Sequence, residues 1–349
     1  MRLSASIALC AVLLAACGGS SQAPPAGSAP PQTARPSGAA KPSAAQQGLA
    51  KLTMSHSQIA GDQMVTWVAK EAGIYDKNGL NLDLRLVEST TGISALLGGD
   101  VEISTIGGSE AMAAAAGGAD VIIAATLAPV YTFKMEVASS IKTKEDLVGK
   151  KLGVTRPGST TDTGTRDSLR KIGLVPDKDV TIVPLGASKT ATVAGLLNGV
   201  VQGILQQPPD DLEIEDKGFH ALYDLATMGL PSAAAVILTQ RSWASAHREL
   251  MQKFIDSLVQ ATALEKKDRA LGERVVRKYY KTEDERLIKY AYEYHSAIHP
   301  PYPYPRIEQY QTITANIKQQ NANAKDFNFD KVIEPSFVKS AEDRGLANS

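Results

Sequence analysis

Lys51-Leu52-Thr53-Met54-Ser55-His56-Ser57 opens a phrase that continues with Met64, Val65, Val68 and Ala69, stops at Gly73, and resumes as Leu80-Asn81-Leu82-Asp83-Leu84-Arg85-Leu86. The middle residues recur at helical spacing, whereas leucine at every second position marks one face of a strand. Strand, helix and strand in that order make a βαβ unit. A second helix over residues 92–97 runs through Gly98-Gly99 into a strand over 101–106 and the turn Gly107-Gly108-Ser109. The pattern predicts an α/β fold.

The phrase returns a hundred residues later without a gap. Gly73-Ile74 aligns with Gly173-Leu174, Leu80 and Leu82 with Val180 and Ile182, Leu96-Leu97 with Leu196-Leu197, Gly99 with Gly199, and Val101 with Val201. Two similar lobes are expected, and their loops pair: Ser57-Gln58 with Pro157-Gly158, and Gly107 with Gln207. All are turns from strand to helix, where open α/β sheets bind ligands. From Ala233 the pattern changes to a strand over 234–238 and helices over 246–265, 271–280, 283–295 and 310–319. This tail is placed back on the first lobe. The expected lobes are 50–137 with 231–349, and 138–230, with crossings near Val137 and Leu230.

Composition excludes some functions. The 349 residues carry 37 basic and 37 acidic side chains, which argues against a nucleic-acid partner, because phosphate contacts need clustered Lys and Arg. A hydrophobic content of 43% excludes wholesale disorder. A folded part of this size needs no metal or disulfide to make a core.

Residues 1–17 place Arg2 before an apolar run through Ile7, Leu9, Val12 and Leu13, too short to span a membrane, and end in small residues. This is a secretory signal pattern. Leu14-Ala15-Ala16-Cys17 resembles the bacterial lipoprotein box, which implies cleavage before Cys17 and acylation of that residue. The acyl chains would tether the protein to a membrane of the bacterial cell envelope, facing the periplasm or the exterior. With Cys10 removed and Cys17 acylated, no cysteine is left for a disulfide. Residues 18–49, rich in Gly, Ser, Pro, Ala and Gln, read as a flexible linker.

Four phrases resemble a known family: Ala72-Gly73-Ile74-Tyr75-Asp76-Lys77-Asn78-Gly79-Leu80, residues 96–106, Glu145-Asp146-Leu147-Val148-Gly149-Lys150-Lys151-Leu152-Gly153-Val154, and Pro157-Gly158-Ser159-Thr160. Their order and spacing are similar to the nitrate, sulfonate and taurine type of ABC-transporter substrate-binding proteins. Over about residues 50–265, the resemblance implies a two-lobed periplasmic-binding-protein fold of the second type. It also implies a ligand between the lobes and delivery to an ABC permease with its ATPase. Family members usually carry Asp in the phrase Gly199-Val200-Val201-Gln202-Gly203, where this chain has Gln202. A monomer without a cofactor is expected.

Site candidates follow from the loops. Pro157-Gly158-Ser159-Thr160-Thr161 precedes a helix, so its backbone N–H groups and hydroxyls suit an anion, while Ser159 or Thr160 also suits the cap. Ser57, Gln58, Gly107, Gly108 and Ser109 are the matching ligand candidates of the first lobe, and Gln206 and Gln207 end the equivalent strand of the second. Glu110 complements a helix dipole, or meets an ammonium if the solute is a zwitterion. His56 and Tyr131, with Phe133, are candidates for the cleft wall. A small polar, anionic solute, of sulfonate, carboxylate or nitrate-like type, is expected.

Other chemistries find little support. His295 and His299 have i, i+4 spacing, but Pro300 ends any helix there and three or four convergent ligands are wanting, so solvent or core roles are expected and no metal. Ser-x-x-Lys occurs at Ser139, Ser168 and Ser336 without its Lys-Thr-Gly companion, and neither Gly-x-Gly nor Gly-Lys-Ser/Thr is present. The related thiamine-pyrimidine synthases use a cysteine-rich segment, which is lacking here. A non-enzyme is expected, with an envelope adaptor or sensory receptor signalling through lobe closure as the alternative.

Overall fold

The computed structural model describes residues 48–186 and 188–348. The signal segment, Cys17 and the linker as far as Gln47 lie outside the described residues. The first phrase forms β1 (Ala50–His56), a 3₁₀ turn at Gly61–Gln63, α1 (Met64–Glu71), α2 (Ile74–Lys77) and β2 (Leu80–Leu86). Leu80 and Leu82 are buried and Leu86 is exposed, so the alternation serves the core only along the first half of the strand. α3 (Ser89–Gly98), β3 (Ile103–Ile106), α4 (Gly108–Ala116) and β4 (Val121–Ala128) follow.

The chain then builds a second sheet. Its elements are β5 (Lys134–Val137), β6 (Lys151–Val154), α5 (Thr160–Lys171), β7 (Thr181–Pro184), α6 (Lys189–Leu197), β8 (Gly203–Gln206), α7 (Asp210–Glu215) and β9 (His220–Asp224). It returns as β10 (Ala235–Gln240) and ends in α8 (Arg241–Ala246), α9 (Arg248–Lys267), α10 (Arg269–Tyr280), α11 (Glu285–Ile298), α12 (Gln311–Gln320) and α13 (Ser336–Asp343).

The strand orders are β2-β1-β3-β10-β4 and β7-β6-β8-β5-β9. In each sheet the first three strands run parallel, and the strand that follows a crossing enters antiparallel next to them. β6, β7 and β8 thus repeat the places of β1, β2 and β3. Gly99 and Gly199 hold φ of +82° and +72° after α3 and α6, a left-handed conformation that glycine adopts without steric cost.

One boundary differs from the expectation. β5 pairs with β8 and β9, so Val137 belongs to the second sheet. The first crossing lies between Ala128 and Lys134, because Met135 and Val137 fill the second core rather than the first. The return crossing lies between Asp224 and Ala235, around Leu230.

The C-terminal helices cover the first sheet. Tyr75 stacks on Phe254 of α9 at 5.7 Å, and Trp67 stacks on Tyr279 of α10 at 4.6 Å. Such aromatic pairs add about 0.5–1.5 kcal/mol beyond their buried area. α11 also reaches the second lobe, through Tyr290 to Asp211 at 2.6 Å and Tyr294 to Asp224 at 3.0 Å. Among the described residues no helix is long and apolar enough to cross a membrane.

Candidate functional site: a polar cleft between the lobes

A cavity of about 340 Å³ lies between the two sheets. Three pairs of loops a hundred residues apart line it: Ser57, Gln58 and Ile59 with Thr155, Arg156, Ser159, Thr160 and Thr161; Glu88 and Ser89 with Ser188 and Lys189; Gly107 and Glu110 with Leu205, Gln206 and Gln207. Phe133 and Ala234, one near each crossing, complete the apolar part with Ile59 and Leu205. The repeat therefore converges on one site.

α5 is a polar helix whose inner face is nonetheless buried, including Thr160, Asp162, Thr163, Thr165, Asp167 and Ser168. An unmet polar group costs about 1–3 kcal/mol, and apart from the Thr165 hydroxyl, which has no partner, these groups are hydrogen-bonded. Ser159 caps the helix by accepting the Asp162 N–H at 3.3 Å, and donates to the Arg156 carbonyl at 2.8 Å. Asp162 accepts the Gly158 N–H at 2.7 Å and Arg166 Nε at 2.8 Å. A Cβ on Gly164 would lie 3.0 Å from Leu205 and 3.2 Å from Tyr131, which is how the helix comes so close to its sheet.

The lobes meet through side chains across the cleft. Gln58 Nε2 donates to Gln207 Oε1 at 3.1 Å, the Thr160 hydroxyl to Glu110 at 3.0 Å, and Arg156 to Thr90 at 2.7 Å, with a 3.2 Å ion pair to Glu88. Ser109 and Thr163 share a hydrogen bond of 3.1 Å. Burial pushes the Glu110 carboxyl up, although Thr160, backbone N–H groups and Arg156 favour its charge. Burial likewise raises the Asp62 carboxyl, which Gln207 holds at 2.7 Å.

The structure brings Ser57, Gln58, Gly107, Ser159, Thr160, Thr161, Gln206 and Gln207 to the cavity. Five expected site residues fall outside its lining. Gly108 packs on the return crossing, its N–H on the Ala233 carbonyl at 2.8 Å and no room for a Cβ against Ala233 and Tyr310. Ser109 is spent on Thr163. Gly158 shapes the turn at φ +74°. His56 lies under the loop, its ring edge-on to Trp67 at 6.0 Å and Nδ1 3.1 Å from the Gln58 carbonyl. Tyr131 sits behind α5, donating to Asp167 at 2.9 Å, and Phe133 takes the wall instead.

Glu88, Ser89, Thr155, Arg156, Ser188, Lys189 and Thr192 are lining residues that the sequence reading passed over. The repeat itself could have found four of them, because Glu88-Ser89 falls on Ser188-Lys189 at the same offset as the pairs already noted.

His295 and His299 are buried. His295 Nε2 donates to the Pro208 carbonyl at 2.8 Å, and burial pulls its pKa down to about 3. His299 Nδ1 lies 2.9 Å from Glu265. Both tie elements together, as the core reading has it. Away from the cleft, Glu136, Asp211 and Glu215 bring carboxylate oxygens within 4.8 Å of one another.

Two sheets of this topology with a polar cleft between them define a two-lobed periplasmic-binding-protein fold. The chain belongs to the NMT1/THI5-like family, whose model matches residues 61–268. It is similar in structure to the periplasmic aliphatic sulphonate binding protein SsuA from Escherichia coli, with a TM-score of 0.68 at 19% identity, covering 82% of this chain and 92% of that one. The alkanesulfonate-binding protein SsuA from Xanthomonas axonopodis pv. citri, bound to MOPS, gives a TM-score of 0.63 at 20% identity and covers 84% and 98% of the two chains. The periplasmic nitrate-binding protein NrtA from Synechocystis PCC 6803 gives 0.63 at 15%, covering 86% and 89%. No curated protein matches the chain. The family read from the sequence phrases and the fold it implied are both borne out.

Proposed function

We propose that this protein is an extracytoplasmic solute receptor, anchored through an acylated Cys17, that closes its lobes on a small polar solute bearing an anionic group and presents it to an ABC permease. The observation that carries the proposal is the cavity between the lobes, whose wall combines hydroxyls and amides with Arg156 and Lys189 at the starts of α5 and α6. Its size is within the range of small-molecule sites. Micromolar affinity is about 8.2 kcal/mol, which four or five charge-assisted hydrogen bonds of about 1.5–3 kcal/mol each supply after ordering costs. A receptor is favoured over an enzyme because the Ser159 hydroxyl bonds Arg156 and Thr155, the Ser57 hydroxyl accepts from Gln63, the Thr160 hydroxyl ties the lobes by donating to Glu110, and none of the lining residues is a histidine.

The test is mass spectrometry of small molecules released from natively purified protein, followed by X-ray scattering with and without the solute found. An intact solute that makes the protein more compact supports the receptor. Recovery of a reaction product, or an unchanged scattering profile at saturation, removes it.

A further inference from the structure

Met135 and Val137 of β5 fill the core of the second lobe, so Lys134 and Glu136 lie on the other side of the strand, where α7 packs. Glu136 is 0% exposed, and neither of its carboxylate oxygens has a hydrogen-bond partner. A buried carboxylate in that condition is costly unless it is protonated, paired or bound to a metal.

α7 adds to the charge. Asp211 and Glu215 stand four residues apart on one face, where like charges repel, and Glu215 lies at the C-terminal end, which disfavours an anion. Both are turned to Glu136: one carboxylate oxygen from each of the three lies within 4.8 Å of the others. The neighbouring cations have partners of their own. Lys189 pairs with Asp210 and Arg286 with Asp216, while Lys134 lies 3.0 Å from Asp211. The Tyr290 hydroxyl of α11 also holds Asp211, at 2.6 Å. Among the described residues, Glu136 and Glu215 have no ion pair. Three carboxylates against the one ammonium of Lys134 leave two negative charges uncompensated.

We propose that Glu136, Asp211 and Glu215 hold one calcium ion, which fastens β5 to α7 beside the Tyr290 contact from the first lobe. All three donors are carboxylates, with no nitrogen or sulfur among them, which suits a hard cation. Oxygens up to 4.8 Å apart are spanned by two calcium–oxygen bonds of about 2.4 Å, whereas magnesium bonds of about 2.1 Å reach only about 4.2 Å. Glu215 is half-buried, so water can complete the roughly six to eight oxygens that calcium takes. In the metal-free protein a proton on Glu136 relieves the same charge, and the ion displaces it. None of the three residues lines the solute cavity, so the two sites are separate.

The experiment titrates calcium chloride into the full chain, stripped of metal with a chelator, by calorimetry and thermal unfolding at about pH 8, where protons compete little. Magnesium chloride is the comparison. We expect one calcium per chain with a Kd on the order of 0.1–1 mM, as in extracellular modules, a melting temperature that rises with calcium, and weaker binding of magnesium. Glu136→Gln and Glu215→Gln are each expected to weaken calcium binding at least about tenfold. Glu215→Gln, at the half-buried end of α7, keeps the test open should the buried substitution alter the fold, and melting without metal checks each variant. No saturable binding below about 10 mM overturns the proposal. Magnesium binding as tight as calcium overturns it too, as does less than tenfold weakening in either variant that folds.

Discussion

Gln207 Nε2 lies 2.7 Å from Asp62 Oδ2, so an amide at the end of a second-lobe strand satisfies a carboxylate buried in the first lobe. The same nitrogen lies 2.6 Å from the Thr132 hydroxyl, in the first crossing segment. Gln207→Leu removes this donor and leaves Asp62 the 3.3 Å contact from Thr132 and its own backbone N–H. We expect a loss of about 1.5–3 kcal/mol, the usual value of a hydrogen bond to a charged group, in urea unfolding, together with a larger radius of gyration. Unchanged stability and unchanged compactness would show that the bond holds neither fold nor closure.

Glu136 is buried with both carboxylate oxygens unpartnered. Burial, then Glu215 and Asp211, push its pKa up to about 8 against the pull of Lys134. The folded state therefore keeps a proton that the unfolded chain releases near its ordinary pKa. This contribution to stability is complete below the unfolded value and is lost as pH rises through the folded one, at up to about 1.4 kcal/mol per pH unit. Glu136→Gln should flatten that slope and be the more stable protein above about pH 8. Denaturant midpoints that move in parallel for both proteins over this window would contradict the assignment.

A Cβ on Gly61 would lie 2.0 Å from the His295 ring, and that ring is anchored to the Pro208 carbonyl at 2.8 Å. The ring has no free direction in which to retreat. Gly61→Ala is expected to cost about 1–3 kcal/mol or more, as overpacking does. Thermal unfolding checks it, and a change below about 0.5 kcal/mol would mean that α11 moves more freely than its contacts indicate.

The anchor is tested at Cys17. Cys17→Ser is expected to leave the fold and melting temperature unchanged and to abolish recovery in the detergent phase. Equal partition of variant and wild type would exclude acylation at this residue.

The fold was largely legible because its signals are periodic. Leu80 and Leu82 alternate as a strand, and the offset of a hundred residues gave the matching places of β1 to β3 and β6 to β8. The first crossing was misplaced because Lys134-Met135-Glu136-Val137 is an ordinary strand whose sheet is decided by long-range pairing with β8 and β9. In the cleft, the Gly, Ser, Thr and Gln loops were visible as turn chemistry. Arg156 was not, since a single charged side chain in a loop carries no pattern, and only the position of Glu88 and Thr90 in space gives it partners. Tyr131 and Phe133 are two residues apart and share a burial, so nothing local says which one meets the cavity.

The antiparallel strands that follow each crossing sit inside their sheets. β10 separates β3 from β4, and β5 separates β8 from β9. A nascent chain that has reached Ala128 therefore holds an incomplete first sheet, with two exposed edges awaiting a strand that is not made until the whole second lobe has been. Assembly order is imposed by this wiring: the lobe begun first is finished last. Severing the chain at the first crossing leaves the first sheet without β10, whereas the second sheet is contiguous from β5 to β9, and the first core closes only after the helices beyond Gln240 have emerged.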